Sequence, residues 1–470
     1  MSDEAEAAAG ETGVVTVFVR HGSDVLLLRR SDAVGSYTGQ WGGVAGHAED
    51  DPGGMARQEV REETGIDPDT LSLVRRGDPF PVEDPEHGVR RVHPFLFDCP
   101  TREVTTDRET TEYEWVQPPA ILDRETVPRL WESYRRVAPT VAGVREDRDH
   151  GSEYVSRRAV EVLRDAAASL DASAALPGGT GDDAGDTGDD PDTVDAADDW
   201  SRLAALAEEL LAARESMAVV ANRVNQVMAE ATGGATDRDA TAAGGADRNA
   251  ATDRDAGAVR RAAERLLAGL DDARIEPPDA LRGATVATLS RSGTVRDLLS
   301  QCDPTEVVVA ESRPGGEGRA VATALAETLA ADVTLCGDAG VAHALDARDA
   351  DAVLVGADTV LADGSVVNKV GTRTLASAAA VQDVPVLVVA HTDKVAPPGR
   401  DPDLEPRDSD ELLPVEDGDP PAALRVEHPT FDVTPPSLVE RYLTEGGSLT
   451  PDDVREAAAR AAARTDWARH

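Results

Sequence analysis

Apolar residues in the first part of the chain fall in short runs spaced for strands. Residues 14–19 and 25–28 read as two strands joined by the polar turn Arg20-His21-Gly22-Ser23-Asp24, a hairpin. Residues 90–97 and 112–116 read as further strands. One helix signal stands between them: Asp51 fits an N-cap, Pro52 a first turn, and Gly65 a left-handed C-cap. From Ser152 the spacing becomes helical. Val155, Ala159, Val162, Leu163 and Ala166 share one face, as do Leu203, Leu206, Ala207 and Leu210, and then Val220, Val224, Val227 and Met228. These stripes read as packing surfaces. Residues 176–199 and 231–257 are rich in Gly, Asp, Thr and Ala without apolar periodicity, and read as disordered acidic insertions.

From about Pro277, β-rich runs alternate with helices. Strands are expected at 284–289, 306–311, 332–336, 352–355 and 384–391. Helices are expected from Thr294, Gly318, Ala339, Thr372, Ser437 and Pro451. Such alternation with Val-rich strands predicts a parallel, doubly wound sheet, whose ligands bind at the carboxyl ends of the strands. No GxGxxG is present, so a strict dinucleotide-binding fold is not expected.

Charge changes the picture. The net charge is −42 over 470 residues, and among 47 basic residues only Lys369 and Lys394 are lysines. An acidic, arginine-for-lysine surface fits a salt-filled cytoplasm, where self-repulsion is screened. The same field argues against general nucleic-acid or membrane binding. Cys99, Cys302 and Cys336 have no metal-type spacing and read as reduced thiols. No apolar run approaches membrane-spanning length, and the acidic start is unlike a signal or transit peptide. The expected location is cytoplasmic.

The helix behind Asp51 carries the clearest chemistry. Glu59, Glu62 and Glu63 stand at i, i+3 and i+4, so three carboxylates share one face. With 89 acidic residues, that spacing arises by chance about three times in such a chain. The frame adds the specificity: Gly43-Val44-Ala45-Gly46-His47-Ala48-Glu49, then Arg57-Gln58-Glu59-Val60-Arg61-Glu62-Glu63-Thr64-Gly65-Ile66. It closely resembles the Nudix box of enzymes that cleave nucleoside diphosphates linked to another group. The resemblance covers roughly residues 12–140 and implies an α/β/α sandwich. It also implies Mg²⁺ or Mn²⁺ held by Glu49, Glu59, Glu62 and Glu63, with the last three catalytic. Two departures stand out: the spacer after Glu49 is one residue longer, and Gln58 replaces an arginine that orients the glutamates. Arg57 lies one position early. Glu109, Glu112 and Glu114 are candidates for the general base.

Motifs in the second half sit at strand ends. They are Thr288-Leu289-Ser290-Arg291-Ser292-Gly293-Thr294, Glu311-Ser312-Arg313-Pro314, Gly356-Ala357-Asp358, Val367-Asn368-Lys369-Val370-Gly371-Thr372 and Phe431-Asp432-Val433-Thr434-Pro435. Together they resemble the family shared by initiation factor 2B alpha, beta and delta subunits and by methylthioribose-1-phosphate and ribose-1,5-bisphosphate isomerases. The match runs over about residues 145–465, less the insertions, and implies a dimer. Ser290 to Thr294 offer N–H groups to a phosphate, with Arg313, Asp358, Asn368 and Lys369 as further ligand contacts. The isomerases pair a cysteine with the aspartate of Gly-Ala-Asp. Here Asp358 is present but the cysteine position is Ser290, so isomerisation is not expected. The ligand loop of the helical part also departs, reading Arg214-Glu215.

The expected chain is α/β: a Nudix domain (residues 1–140), a helical connector (145–275) and a Rossmann-like domain (276–470). The expected function is Mg/Mn-dependent hydrolysis of a nucleoside-diphosphate-linked substrate, with the second half binding a sugar phosphate or nucleotide. The alternatives are a ribose-phosphate isomerase using Asp358 alone or with Ser290, and a non-catalytic regulator related to translation initiation.

Overall fold

The computed structural model describes residues 12–48, 51–84, 88–148, 150–174, 191–233, 254–413 and 423–469. Contacts divide the chain into two compact units. One takes residues 1–140, 161–199 and 259–271, the other residues 141–160, 200–258 and 272–470.

In the first unit the strands are β1 (Thr12–His21), β2 (Asp24–Arg30), β3 (Trp41–Gly42), β4 (Val44–His47), β5 (Ser72–Arg76), β6 (Phe80–Asp84), β7 (Gly88–Asp98) and β8 (Thr110–Val116). The sheet runs β3-β2-β1-β7-β5, with β4 on β1, β6 on β7 and β8 on β2. β1 and β2 form the expected hairpin, and β1 pairs parallel with β7. Along β1, Val15, Val17 and Val19 pack with Ala56 and Val60 of α1 (Pro52–Thr64). The intervening Phe18 packs with Leu130 and Tyr134 of α2 (Leu130–Arg135). Alternate residues of a strand point to opposite faces, and here both faces are covered. That is why residues 14–19 are apolar at every position but Thr16. The sheet is therefore the central layer of an α/β/α sandwich.

β3 to β6 were not expected. β3 and β4 have only two and four residues and β5 is largely exposed, while β6 alternates buried Phe80 and Val82 but carries Pro81, which argues against a strand. Asp51 is the N-cap residue of α1, but its side chain makes no capping bond, and only its carbonyl accepts, from Met55 N–H. Gly65 closes the helix at φ 69°, as its position predicts.

Among the described residues five helices follow: α3 (Val141–Glu146), α4 (Ser152–Ala174), α5 (Pro191–Ala213), α6 (Ala218–Ala231) and α7 (Ala256–Asp272). Of the expected insertions, residues 175–190 and 234–253 lie outside the described residues. Residues 191–199 do not belong to an insertion; they open α5. Proline suits a helix start and alanine its continuation, a propensity signal that apolar periodicity does not register.

The sheet of the second unit is built from β9 (Thr285–Thr288), β10 (Glu306–Ala310), β11 (Asp332–Cys336), β12 (Ala352–Val355), β15 (Val386–Val389), β17 (Arg441–Thr444) and β18 (Gly447–Leu449). Its order is β11-β10-β9-β12-β15-β17-β18, parallel throughout except the terminal β17–β18 pair. Helices α8 (Gly293–Cys302), α9 (Glu317–Thr328), α10 (Val341–Ala347), α11 (Thr372–Val381) and α12 (Pro451–Ala463) intervene or follow. This is the Rossmann-like doubly wound order, and its topological switch point lies between β9 and β12. A small antiparallel sheet of β13 (Thr359–Val360), β14 (Val366–Lys369) and β16 (Phe431–Thr434) leaves from the end of β12. The helix expected from Ser437 is a single 3₁₀ turn, Pro436–Leu438. The chain then enters β17, where Tyr442 and Leu443 are buried beside β15. Pairing with a preformed parallel sheet overrides local preference there.

The acidic field carries a direct consequence. At −42, lowering ionic strength from 1 M to 0.01 M lengthens screening from about 3 Å to about 30 Å. Circular dichroism is expected to show loosening of the fold on dilution from molar to millimolar KCl. An unchanged spectrum refutes the salt adaptation.

Candidate functional site

In the first unit, α1 lies against β4 so closely that a Cβ on Gly46 would stand 1.9 Å from Glu59 Oε1. Only glycine allows that approach. Glu63, one turn on, accepts from Ala45 N–H at 3.3 Å. Burial pushes the Glu63 carboxyl up to about 8, with Glu59 and Asp107 adding repulsion and the Ala45 N–H and Arg30 opposing it. Glu59 is also raised, first by burial and then by Glu62, Glu109 and Asp107. Glu62 is exposed and accepts from Gln58 Nε2 at 2.7 Å.

The helix trio is thus joined by two acids that arrive on the loop before β8. Ser31 fixes that loop, its N–H donating to Glu109 O at 2.7 Å and its hydroxyl to Arg108 O at 2.8 Å. Asp107 in turn accepts from Glu109 N–H. Of the three base candidates, Glu109 stands with the cluster. Glu112 pairs with Arg29 at 3.4 Å and Glu114 with Arg124. Asp107 was not legible in the sequence, because loop acids carry no periodic signal in so acidic a chain.

Arg57 does not take the place of the missing arginine. Its guanidinium donates to Pro68 O at 2.8 Å and Leu71 O at 3.2 Å and lies over the Phe97 ring. A cation beside the cluster is Arg30, from the end of β2, whose charge acts on Glu63 and Glu109. Glu49 lies outside the described residues. Among the described residues no three His, Cys, Asp or Glu side chains stand as a ready metal cage. The donor chemistry still suits a hard divalent cation: several carboxylates gather, and two hold their protons unusually tightly because burial and the neighbouring acids disfavour their charged forms.

In the second unit, the sequence-selected residues gather at the switch point in part. Ser290 leaves β9 at φ 65°, its N–H donating to Ser312 Oγ at 2.6 Å. Ser292 caps α8 by accepting from Val295 N–H, leaving Gly293 and Thr294 in the first turn. A Cβ on Gly356 would meet Ser292 Oγ at 2.7 Å and Asn368 Oδ1 at 3.9 Å, so the two loops and β14 converge. Asn368 donates to Thr372 Oγ1 at 3.0 Å, and buried Lys369 pairs with Glu317 Oε1 at 2.7 Å. Asp358 is raised by burial, against the opposing pull of Lys394, a Ser152 hydroxyl bond and Lys369. Lys394 donates to Ala357 O at 2.7 Å. Arg291 and Arg313 are exposed, and Arg313 is tied to Glu311 at 3.0 Å.

Sequence reasoning singled out Glu317-Gly318-Arg319 after the second strand and Lys394 near these motifs, but missed Ser152 as a neighbour of this site. It also missed a cleft of about 450 Å³ lined in part by Arg148, Arg214, Ser216, Glu405 and Thr430. There Glu405 accepts from Ser216 Oγ and stands 3.4 Å from Arg214 Nη2. Nearby, Arg223 is fully buried between Asp393 (2.6 Å) and Glu153 (2.6 Å) and also donates to Ser156 Oγ.

Comparison with known proteins gives two family matches. The model described as "Initiation factor 2 subunit family" matches residues 148–451, and that described as "NUDIX domain" matches residues 10–137. A ribose 1,5-bisphosphate isomerase of Haloferax volcanii is 41% identical over 166 residues, covering 34% of this chain and 50% of its own length. A methylthioribose-1-phosphate isomerase of Xylella fastidiosa is 33% identical over 179 residues, covering 37% of this chain and 50% of its own. The chain thus spans about half the length of these curated relatives. The solved translation initiation factor eIF-2B of Pyrococcus horikoshii OT3 is 22% identical, with a TM-score of 0.47, covering 67% of this chain and 97% of that one.

Proposed function

This chain belongs to the initiation factor 2 subunit family and carries a NUDIX domain ahead of it, and on that premise we propose a hydrolase joined to a sugar-phosphate-binding part. The first part hydrolyses a nucleoside-diphosphate-linked substrate. The observation that carries this reading is the half-buried convergence of Glu59 and Glu63 with Asp107 and Glu109 beside Gly46. Glu59, Glu62 and Glu63, with Glu49, would hold Mg²⁺ or Mn²⁺. When bound, such an ion supplies charge neutralisation for a pyrophosphate and an acidified water. Glu109 is placed to take a proton from an attacking water, and Arg30 balances charge at the rim. Incubation with ADP-ribose and Mg²⁺ or Mn²⁺ in molar KCl is expected to yield AMP and ribose 5-phosphate. Intact ADP-ribose, and no cleavage of a panel of other dinucleoside and sugar-nucleotide pyrophosphates, overturns it.

The second part binds a sugar phosphate at the switch point, with a homo-oligomer as the working assembly. Gly293 and Thr294 open α8 toward an anion, while Lys369, Asn368 and Asp358 address sugar hydroxyls or phosphate. Lys369→Ala is expected to weaken binding of ribose 1,5-bisphosphate, measured by calorimetry on the full chain, by roughly 1.5–3 kcal/mol for a lost charge-assisted bond. Unchanged affinity removes Lys369 from the site. Isomerisation is the second reading, and the missing thiol does not exclude it. The matched relatives are named isomerases, and burial leaves Asp358 a carboxyl that holds its proton more tightly than usual, as a proton-transfer group requires. Formation of ribulose 1,5-bisphosphate, abolished by Asp358→Asn, decides between binding and catalysis.

A further inference from the structure

Two arginines stand beside the carboxylate cluster: Arg30, on which Glu63 and Glu109 act, and its neighbour Arg90. Arg20, Arg102 and Arg136 each meet a carboxylate, at 2.6, 2.7 and 2.9 Å. Among the described residues, Arg30 and Arg90 are in no ion pair. Arg30 feels Glu63 and Glu109 without pairing with either, and Arg90 beside it meets no carboxylate in an ion pair. Arg30 spends its hydrogen bonds on the loop that follows β2, donating to Ser36 O at 2.9 Å and Ser36 Oγ at 3.4 Å. That loop closes on its own stem, Gly39 N–H donating to Arg30 O and Arg30 N–H to Gln40 O. Its tip is Tyr37, held at φ 56°, a left-handed conformation that costs an aromatic residue about 1–3 kcal/mol. Arg90, from β7, lies over the Tyr37 ring at 5.9 Å. The closed loop therefore carries a strained aromatic ring to a free guanidinium, with Arg30 close enough that the two cations repel.

We propose that Tyr37 and Arg90 seat the nucleoside 5′-phosphate half of the substrate, the ring stacking on the base and the guanidinium holding the phosphate. An aromatic face paired with a guanidinium fits a base and its phosphate, and fits a bare sugar phosphate only through the charge. The subsite rests on the hydrolase reading above, and it names the half of the substrate recognised: a nucleotide rather than the group linked to it.

The test is calorimetry on the full chain without divalent metal, using AMP and ribose 5-phosphate as probes. Wild type is expected to bind AMP about tenfold more tightly than ribose 5-phosphate at this site. Tyr37→Gly, which relieves the backbone strain, is expected to erase that preference, and Tyr37→Phe to keep it. Arg90→Ala is expected to weaken both probes about tenfold. Equal AMP binding by wild type and Tyr37→Gly, or no loss with Arg90→Ala, overturns the subsite. The hydrolase reading is tested apart from the subsite, by pyrophosphate cleavage in the wild type; Glu63→Gln is expected to lose that cleavage and keep AMP binding, and loss of AMP binding in it overturns the subsite.

Discussion

Exchanging Glu63 for glutamine is expected to preserve the fold and cut pyrophosphate hydrolysis by about 10²–10⁴-fold. Glutamine matches the side chain in size, and the contact with Ala45 N–H at 3.3 Å asks only for an oxygen acceptor. What disappears is the ionisable oxygen pair that a divalent cation needs. The same group gives the experiment a pH signature. Without metal the Glu63 carboxyl keeps its proton up to about 8, so a proton competes with the cation below that pH. Mn²⁺ affinity of the wild type is therefore expected to rise steeply between pH 6 and 8 and to level off above. In Glu63→Gln the rise should be shallow. Exposed Glu62 stands at the rim, and Glu62→Gln is expected to act in the same direction. Wild-type turnover in both variants refutes the metal assignment.

Arg223→Ala should be the most damaging substitution outside either site. The guanidinium is fully buried and satisfies two carboxylates, Glu153 and Asp393, and the Ser156 hydroxyl. Removing one member of such a group strands the others and costs about 3–5 kcal/mol. Arg223→Met keeps the stem packing, so a comparable loss there assigns the cost to stranded charge rather than to a cavity. Glu153 adds a pH dependence. Burial alone would raise its carboxyl, but Arg223 holds it down at about 2 against an unfolded value near 4.5. A depressed carboxyl stabilises the fold fully above about 4.5, and that contribution drains away as pH falls toward 2. Urea unfolding at pH 5 and pH 3 is expected to show the loss in wild type and a smaller one in Arg223→Ala. Identical stability of wild type and variant at pH 5 removes Arg223 as a structural keystone.

Some features of the chain depend only on local order and are readable from sequence. The apolar run along residues 14–19, the Gly65 stop and the Val-rich runs at 307–309, 353–355 and 386–389 specify strands and helix ends wherever they fold. The i, i+3, i+4 spacing of Glu59, Glu62 and Glu63 places them on one face, because helical geometry alone does so. The Nudix frame and the strand-end motifs are likewise sequence properties.

What tertiary structure decided is which distant groups meet. Asp107 and Glu109 join the helix carboxylates because Ser31 ties their loop to the end of β2. Arg57, a sequence neighbour of the trio, turns instead to the carbonyls of residues 68 and 71. Ser152 and Lys394 reach Asp358 from segments about 200 residues before and 36 residues after it, and no local pattern encodes such a meeting. The turn at residues 436–438 and strand β17 show the same limit in the fold itself. Local propensity there is weak, and the hydrogen-bonding edge of β15 determines what the chain becomes. Spacing along a chain sets which face a side chain shares; only packing sets what stands opposite.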